Sequence, residues 1–203
     1  MQIVNYIKDS TTECSPFSWG LTLFSFGCNF HCRMCEGYNY EKVTNKDNII
    51  GEAKEIIDRV ITPMHDCVVF LGGEPTIWGD KLIEALKFCH DKGLKTKIFS
   101  NGFNNTLIEK INKEELCDAW SIDFKVVNNI QQECGVHAAD YLINVNKSIF
   151  DIINHKLPLE IRTTYYSGNY AQKDSIEEYV KSTFLRNHPE IKYIEQEDVR
   201  DLL

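Results

Sequence analysis

Cys28, Cys32 and Cys35 stand at C-x3-C-x2-C spacing, directly after an apolar run at residues 21–26. Three thiolates this close form a soft donor set, suited to iron–sulfur or zinc chemistry rather than to hard cations. Iron–sulfur clusters are normally held by four cysteine thiolates. Three local ones, with no obvious fourth in the loop, point to a four-iron cube with one iron open to a non-protein ligand. An open iron at the C-terminal end of a strand is an arrangement for catalysis; a filled one suits structure or electron transfer. Blander readings exist. Cys32-Arg33-Met34-Cys35 alone matches a thioredoxin-like redox pair, which leaves Cys28 unused. A Cys3His zinc site asks the adjacent residues His31 and Cys32 to converge on one ion. Buried cysteines also pack as small hydrophobes, and Cys67, Cys89 and Cys117, within or beside apolar stretches, are read that way. Cys14 and Cys134 fall in loops and receive no role.

The elements that must position such a site follow from the hydrophobic pattern. Residues 21–26 form a candidate strand, closed by Gly27. Apolar residues at Ala53, Ile56, Ile57, Val60 and Ile61 give helical spacing over residues 48–62, ended by Pro63. The continuous apolar run at 67–71 has the pattern of a buried parallel strand. A helix over 79–91 with Gly93 as its cap precedes a strand at 95–99, and a helix over 105–112 leads to a strand at 119–124. After a loop at 125–138 come a helix to about residue 153, a strand at 159–164, a helix over 175–185 and a strand at 192–194. Six strands with helices between them predict parallel pairing, because a parallel pair needs a crossover connection. The expected fold is α/β: an open, curved, three-quarter (βα)6 barrel with outer helices. With no repeat or linker in view, residues 1–203 read as one domain.

Composition sets outer limits. The chain has 203 residues, 43% of them hydrophobic, and a net charge of −8 from 22 basic and 30 acidic side chains. That balance argues against binding to nucleic acid or an anionic membrane, which calls for a basic patch. Residues 1–12 carry no signal-type apolar core, and no apolar run approaches the length of a membrane span. Eight cysteines in such a chain fit reduced thiols, and so a cytoplasmic location.

In βα folds, ligands gather at the C-terminal ends of the strands. Here five successive strand ends carry the cysteine loop, Gly72-Gly73-Glu74-Pro75, Ser100-Asn101-Gly102, Asp123 with Lys125, and Arg162 with Thr163. Taken singly each has a bland reading as a turn or a surface pair; together they outline one mouth. Glycines without Cβ let a ligand approach the backbone, and Glu74 offers a carboxylate to an ammonium group. Asp123 and Lys125, two apart on a strand end, share a face and present both signs of charge. A ligand with an amino group, a carboxylate and a ribose uses all of these. S-adenosylmethionine fits, and its amino and carboxylate groups can chelate an open iron.

With these motifs the chain resembles the radical S-adenosylmethionine enzymes over about residues 20–165. The resemblance implies that Cys28, Cys32 and Cys35 ligate a [4Fe-4S] cluster. It implies that Gly72, Gly73 and Glu74 hold the methionine amino group, and that Ser100, with Asn101 beside it, lies near the ribose. Met34 stands where the family has an aromatic residue, and would pack over the adenine edge. Asp123 and Lys125 are the catalytic candidates, and Arg162 a further contact. Reductive cleavage of S-adenosylmethionine to a 5′-deoxyadenosyl radical, which takes a hydrogen atom from the substrate, is the implied reaction. Residues 122–125 and 160–164 further resemble the activating protein of anaerobic ribonucleoside-triphosphate reductase. On that likeness the substrate is a glycine of a large glycyl radical enzyme, and the electron donor is of flavodoxin or ferredoxin type. A chain this short leaves little to build a lid, which also suits a protein partner. A 7-carboxy-7-deazaguanine synthase-like enzyme is the alternative, although Glu36-Gly37-Tyr38 lacks that family's hydroxyl residue after the last cysteine. A non-catalytic iron–sulfur protein would leave the strand-end polar residues without purpose.

Overall fold

The computed structural model describes residues 1–36 and 40–198. Its centre is an eight-stranded sheet. In chain order the strands are β1 (Gln2–Ser10), β2 (Gly20–Ser25), β3 (Gly51–Glu52), β4 (Cys67–Gly72), β5 (Lys95–Ser100), β6 (Ala119–Asp123), β7 (Leu159–Tyr165) and β8 (Lys192–Glu197). Across the sheet they run β3-β1-β2-β4-β5-β6-β7-β8. From β2 to β8 every neighbouring pair is parallel, while β1 pairs antiparallel with both β2 and β3.

The six parallel strands are the six expected from the apolar runs. The antiparallel edge was not expected: no strand was read before residue 21, yet Gln2–Ser10 lies along β2. Near its ends Ile3 and Ser10 are buried, while Ile7, Lys8 and Asp9 between them are exposed.

Helices follow the strands. The short α1 (Arg33–Glu36) and α2 (Tyr40–Thr44) come after β2, and α3 (Ala53–Val60) leads into β4. Between later strands lie α4 (Asp80–Asp91), α5 (Asn105–Lys113), α6 (Ile130–Cys134) with α7 (Ala138–Asn154), and α8 (Lys173–Val180). The expected loop at 125–138 thus contains a helix of one turn, α6. The expected helix at 175–185 is α8 carried on by a π-turn. Gly93 ends α4 at φ +75°, the left-handed conformation expected of a glycine cap.

Strand period decides which side each residue faces. Leu21, Leu23, Val68, Phe70, Ile98, Trp120, Ile122 and Ile161 point outward and are fully buried against Ile56, Ile57, Leu86, Ile108, Ile111 and Ile149 of the helices. The alternate residues face inward. At the lower end of that inner face, Cys14 packs with Cys67 and Val69 beside Phe17, Leu71 and Phe99. Residues 11–19 therefore cork the bottom of the curved sheet. Lys97, 1% exposed, ties the cork to the far wall: its Nζ donates to the Ser15 carbonyl at 2.7 Å and to Glu160 at 2.8 Å. Among the described residues no helix is long and apolar enough to cross a membrane.

Candidate functional site

The upper ends of the strands are laced together by backbone. Gly73 N–H donates to the Ser25 carbonyl at 3.0 Å and Glu74 N–H to the Gly27 carbonyl at 2.8 Å. A Cβ on Gly73 would stand 1.9 Å from the Gly27 oxygen, and one on Gly72, at φ +115°, 2.3 Å from the Ser25 nitrogen. What comes close to these glycines is the end of β2, which seats the cysteine loop. Both glycines also line a cleft of about 760 Å3 together with Cys28, Cys32 and Cys35.

In the structure Glu74 is tied into its surroundings. It is 1% exposed, and its carboxylate accepts from Thr76 N–H (3.1 Å), Thr76 Oγ1 (2.7 Å), Ser100 Oγ (2.8 Å) and Asn101 N–H (2.7 Å). Burial raises its carboxyl above the ordinary range, and these four donors oppose that rise. Asn101 continues the chain of contacts, its Nδ2 donating to Asn29 Oδ1 in the cysteine loop at 2.8 Å. Glu74, Ser100 and Asn101 thus form a buried clasp between β4, β5 and the cysteine loop. They line neither of the two cavities described here.

The second cavity is smaller and shares Cys32 with the first. Met34, Asp123, Lys125 and Arg162 line it, together with Glu133, Cys134, Thr164, Tyr166 and Asn169. Asp123 and Lys125 do share a face: Lys125 Nζ donates to Asp123 Oδ2 at 3.1 Å. Burial disfavours the Lys125 ammonium, but Asp123 and the nearby thiols outweigh it and hold its pKa well above the ordinary value. Arg162 is turned toward the barrel interior rather than the rim. It meets Glu13 at 3.0 Å and lies 5.0 Å from the centre of the Phe99 ring.

Glu133, Cys134 and Tyr166 were missed by the sequence reading. Tyr166 Oη donates to Glu133, and Glu133 also faces Arg33 of α1 at 3.8 Å. These contacts dock α6 over the cysteine loop. No local motif marks these residues, because only the fold brings α6 to the cysteine loop.

Among the described residues, no three Cys, His, Asp or Glu side chains converge on a single ion. A cube does not ask them to, since its cysteines bind different irons. Three soft thiols around one cleft, floored by two glycines, fit such a group. Burial, followed by the Glu74 carboxylate, pushes the Cys28 thiol up to about 12, so metal uptake has to displace its proton.

Comparison with known proteins places this arrangement. The profile of the Radical SAM superfamily matches residues 22–181. The chain belongs to the radical SAM superfamily. Its cofactors are accordingly a [4Fe-4S] cluster and S-adenosylmethionine. A protein of Methanocaldococcus jannaschii, provisionally named a glycyl-radical enzyme activating enzyme, is 27% identical over 183 residues, 89% of this chain and 75% of its own. An S-adenosyl-L-methionine-dependent tRNA 4-demethylwyosine synthase of the same organism is 32% identical over 142 residues, 64% of this chain and 42% of its own. Among solved structures, native anSMEcpe with bound AdoMet and Cp18Cys peptide aligns with a TM-score of 0.55 at 16% identity. That alignment covers 84% of this radical SAM protein and 48% of the other chain, so this protein spans about half of that neighbour's length. Archaeal TYW1 aligns with a TM-score of 0.52 at 22% identity, over 81% of this chain and 61% of its own. Both likenesses bear on the fold, a mostly parallel partial barrel with outer helices. Gly37 and Tyr38, on which the contrast with the deazaguanine synthases turned, lie outside the described residues.

Proposed function

We propose that this radical SAM protein activates a glycyl radical enzyme, with anaerobic ribonucleoside-triphosphate reductase as the partner. The observation that carries this reading is the shared wall at Cys32. The cleft lined by Cys28, Cys32, Cys35, Gly72 and Gly73 adjoins, through Cys32, a cavity carrying the charged pair Asp123–Lys125. The activating-enzyme relative, similar along most of the chain, supports a glycyl radical enzyme as the class of partner.

In this reading Cys28, Cys32 and Cys35 hold the cluster, and Gly72 and Gly73 form the bed for the methionine end of S-adenosylmethionine. Glu74, Ser100 and Asn101 fix that bed from below. When bound, the two groups supply a hydrogen-abstracting radical, as such cofactors carry the hard chemistry while the protein orients them. Lys125, kept charged by Asp123, orients a carboxylate or a backbone carbonyl in the smaller cavity. Met34 and Tyr166 present apolar surface there and keep water from the reacting centre. The incoming glycine loop enters over this second cavity, and its Cα–H is the hydrogen removed. A flavodoxin or ferredoxin-type protein is the proposed reductant.

The test has two arms. Anaerobic reconstitution should give a four-iron cluster in the wild-type protein and not in Cys28→Ala, Cys32→Ala or Cys35→Ala, by iron and sulfide assay. Reduced protein with S-adenosylmethionine and the reductase should then give the electron paramagnetic resonance doublet of a glycyl radical. Lys125→Ala should lower that radical yield while leaving cluster content unchanged. A full cluster in Cys32→Ala ends the ligand assignment. Conversion of 6-carboxytetrahydropterin to a deazaguanine by this chain alone ends the activase reading.

A further inference from the structure

Cys134 plays no part in the reading above, yet it is held against one of the proposed cluster ligands. It closes α6, is 1% exposed, and shares with Cys32 the wall of the smaller cavity. The two side chains are neighbours on that wall. Backbone fixes that placement independently of either side chain. His31 N–H donates to the Cys134 carbonyl at 3.2 Å, so the residue before Cys32 is bonded to Cys134 itself. The next residue, Gly135, is pressed onto the same spot: a Cβ there would stand 3.2 Å from His31 Cβ and 3.4 Å from its carbonyl oxygen. On the other side, Glu133 faces Arg33. Residues 133–135 and 31–33 are thus paired one to one.

We propose that Cys134 donates a hydrogen bond to the Cys32 sulfur and thereby sets the reduction potential of the cluster. The inference rests on Cys32 being a cluster ligand. A ligated Cys32 is a thiolate and can only accept, whereas Cys134 keeps its S–H, a weak donor. Hydrogen bonds to cluster sulfurs are among the factors that fix the potential of such centres. Each one withdraws charge from the sulfur, stabilises the more negative reduced state and raises the potential. Groups outside the ligand set commonly tune a metal centre in this way. In this proposal Cys134 acts through Cys32, as a positioning residue and not as a fourth ligand. Its effect falls on the electron-accepting step. It eases reduction of a cluster that a protein reductant must otherwise drive to very negative potential.

Wild-type protein, Cys134→Ala, Cys134→Ser and the distant buried control Cys89→Ala would be reconstituted anaerobically. Iron and sulfide would be assayed, and each cluster titrated potentiometrically by electron paramagnetic resonance. The expected result is a full four-iron cluster in all four. The midpoint should be more negative than wild type in Cys134→Ala, partly restored in Cys134→Ser, whose hydroxyl also donates, and unchanged in Cys89→Ala. An unchanged midpoint in Cys134→Ala with an intact cluster overturns the proposal. So does loss of iron from Cys134→Ala with a native circular dichroism spectrum, which would make Cys134 a ligand. Failure of the wild-type protein to take up four irons would instead overturn the cluster assignment on which the inference stands.

Discussion

Glu74 shows how a side chain singled out in sequence for a ligand also holds its own surroundings together. Its place in Gly72-Gly73-Glu74-Pro75 marked it as a partner for an ammonium group. In the structure its two oxygens collect four donors from Thr76, Ser100 and Asn101. A buried carboxylate with donors on every side costs far more to remove than a surface group, because the donors are left unpaired. Glu74→Ala should therefore destabilise the protein by at least about 1.5–3 kcal/mol, the scale of hydrogen bonds to a charged group. Affinity for S-adenosylmethionine should fall with it. Chemical denaturation and calorimetry would check both, and a stability loss below about 0.5 kcal/mol, the level of an ordinary surface change, would refute the clasp. The three local cysteines were legible because their chemistry is written in adjacent residues. Cys134 was not, because only the docking of α6 carries it to Cys32.

At the scale of elements, the parallel strands were legible for a plain reason. Strands buried on both faces read as unbroken apolar runs, and Cys67–Gly72 is such a run. β1 was illegible because a strand with polar residues along it has no such signature, and its antiparallel partner β2 follows it only after the long turn at residues 11–19. Neighbouring strands are also pinned by side chains that no pattern announces. Asp118, just before β6, accepts from Thr96 N–H of β5 at 2.9 Å and from Lys95 Nζ at 2.8 Å. Burial pushes its carboxyl up, but the Lys95 and Thr96 donors outweigh that and hold it below its ordinary value of 3.8. A carboxylate depressed in the folded state stabilises above its unfolded pKa, and that contribution is lost as pH falls through the folded value. Asp118→Asn should thus be less stable than wild type at neutral pH, by about 1–3 kcal/mol. The gap should close as the pH is taken below 3.8. Denaturation curves at pH 7 and pH 3 would show it, and a gap of equal size at both would count against the assignment.

For the whole molecule, the cork matters more than its size suggests. With residues 11–19 packed across the lower end and Lys97 bridging Ser15 to Glu160, the curved sheet is a cul-de-sac. Among the described residues, the cleft beside the cysteine loop lies toward the upper strand ends, and in the proposed reaction the partner's loop stands over it. If the partner's loop covers that mouth, S-adenosylmethionine enters before the partner docks, and 5′-deoxyadenosine and methionine leave after it departs. Rapid quenching should find both products still bound while the partner is engaged. Their escape should then keep pace with the partner's own dissociation, making the enzyme a single-shot igniter whose reloading is timed by the protein it has just lit.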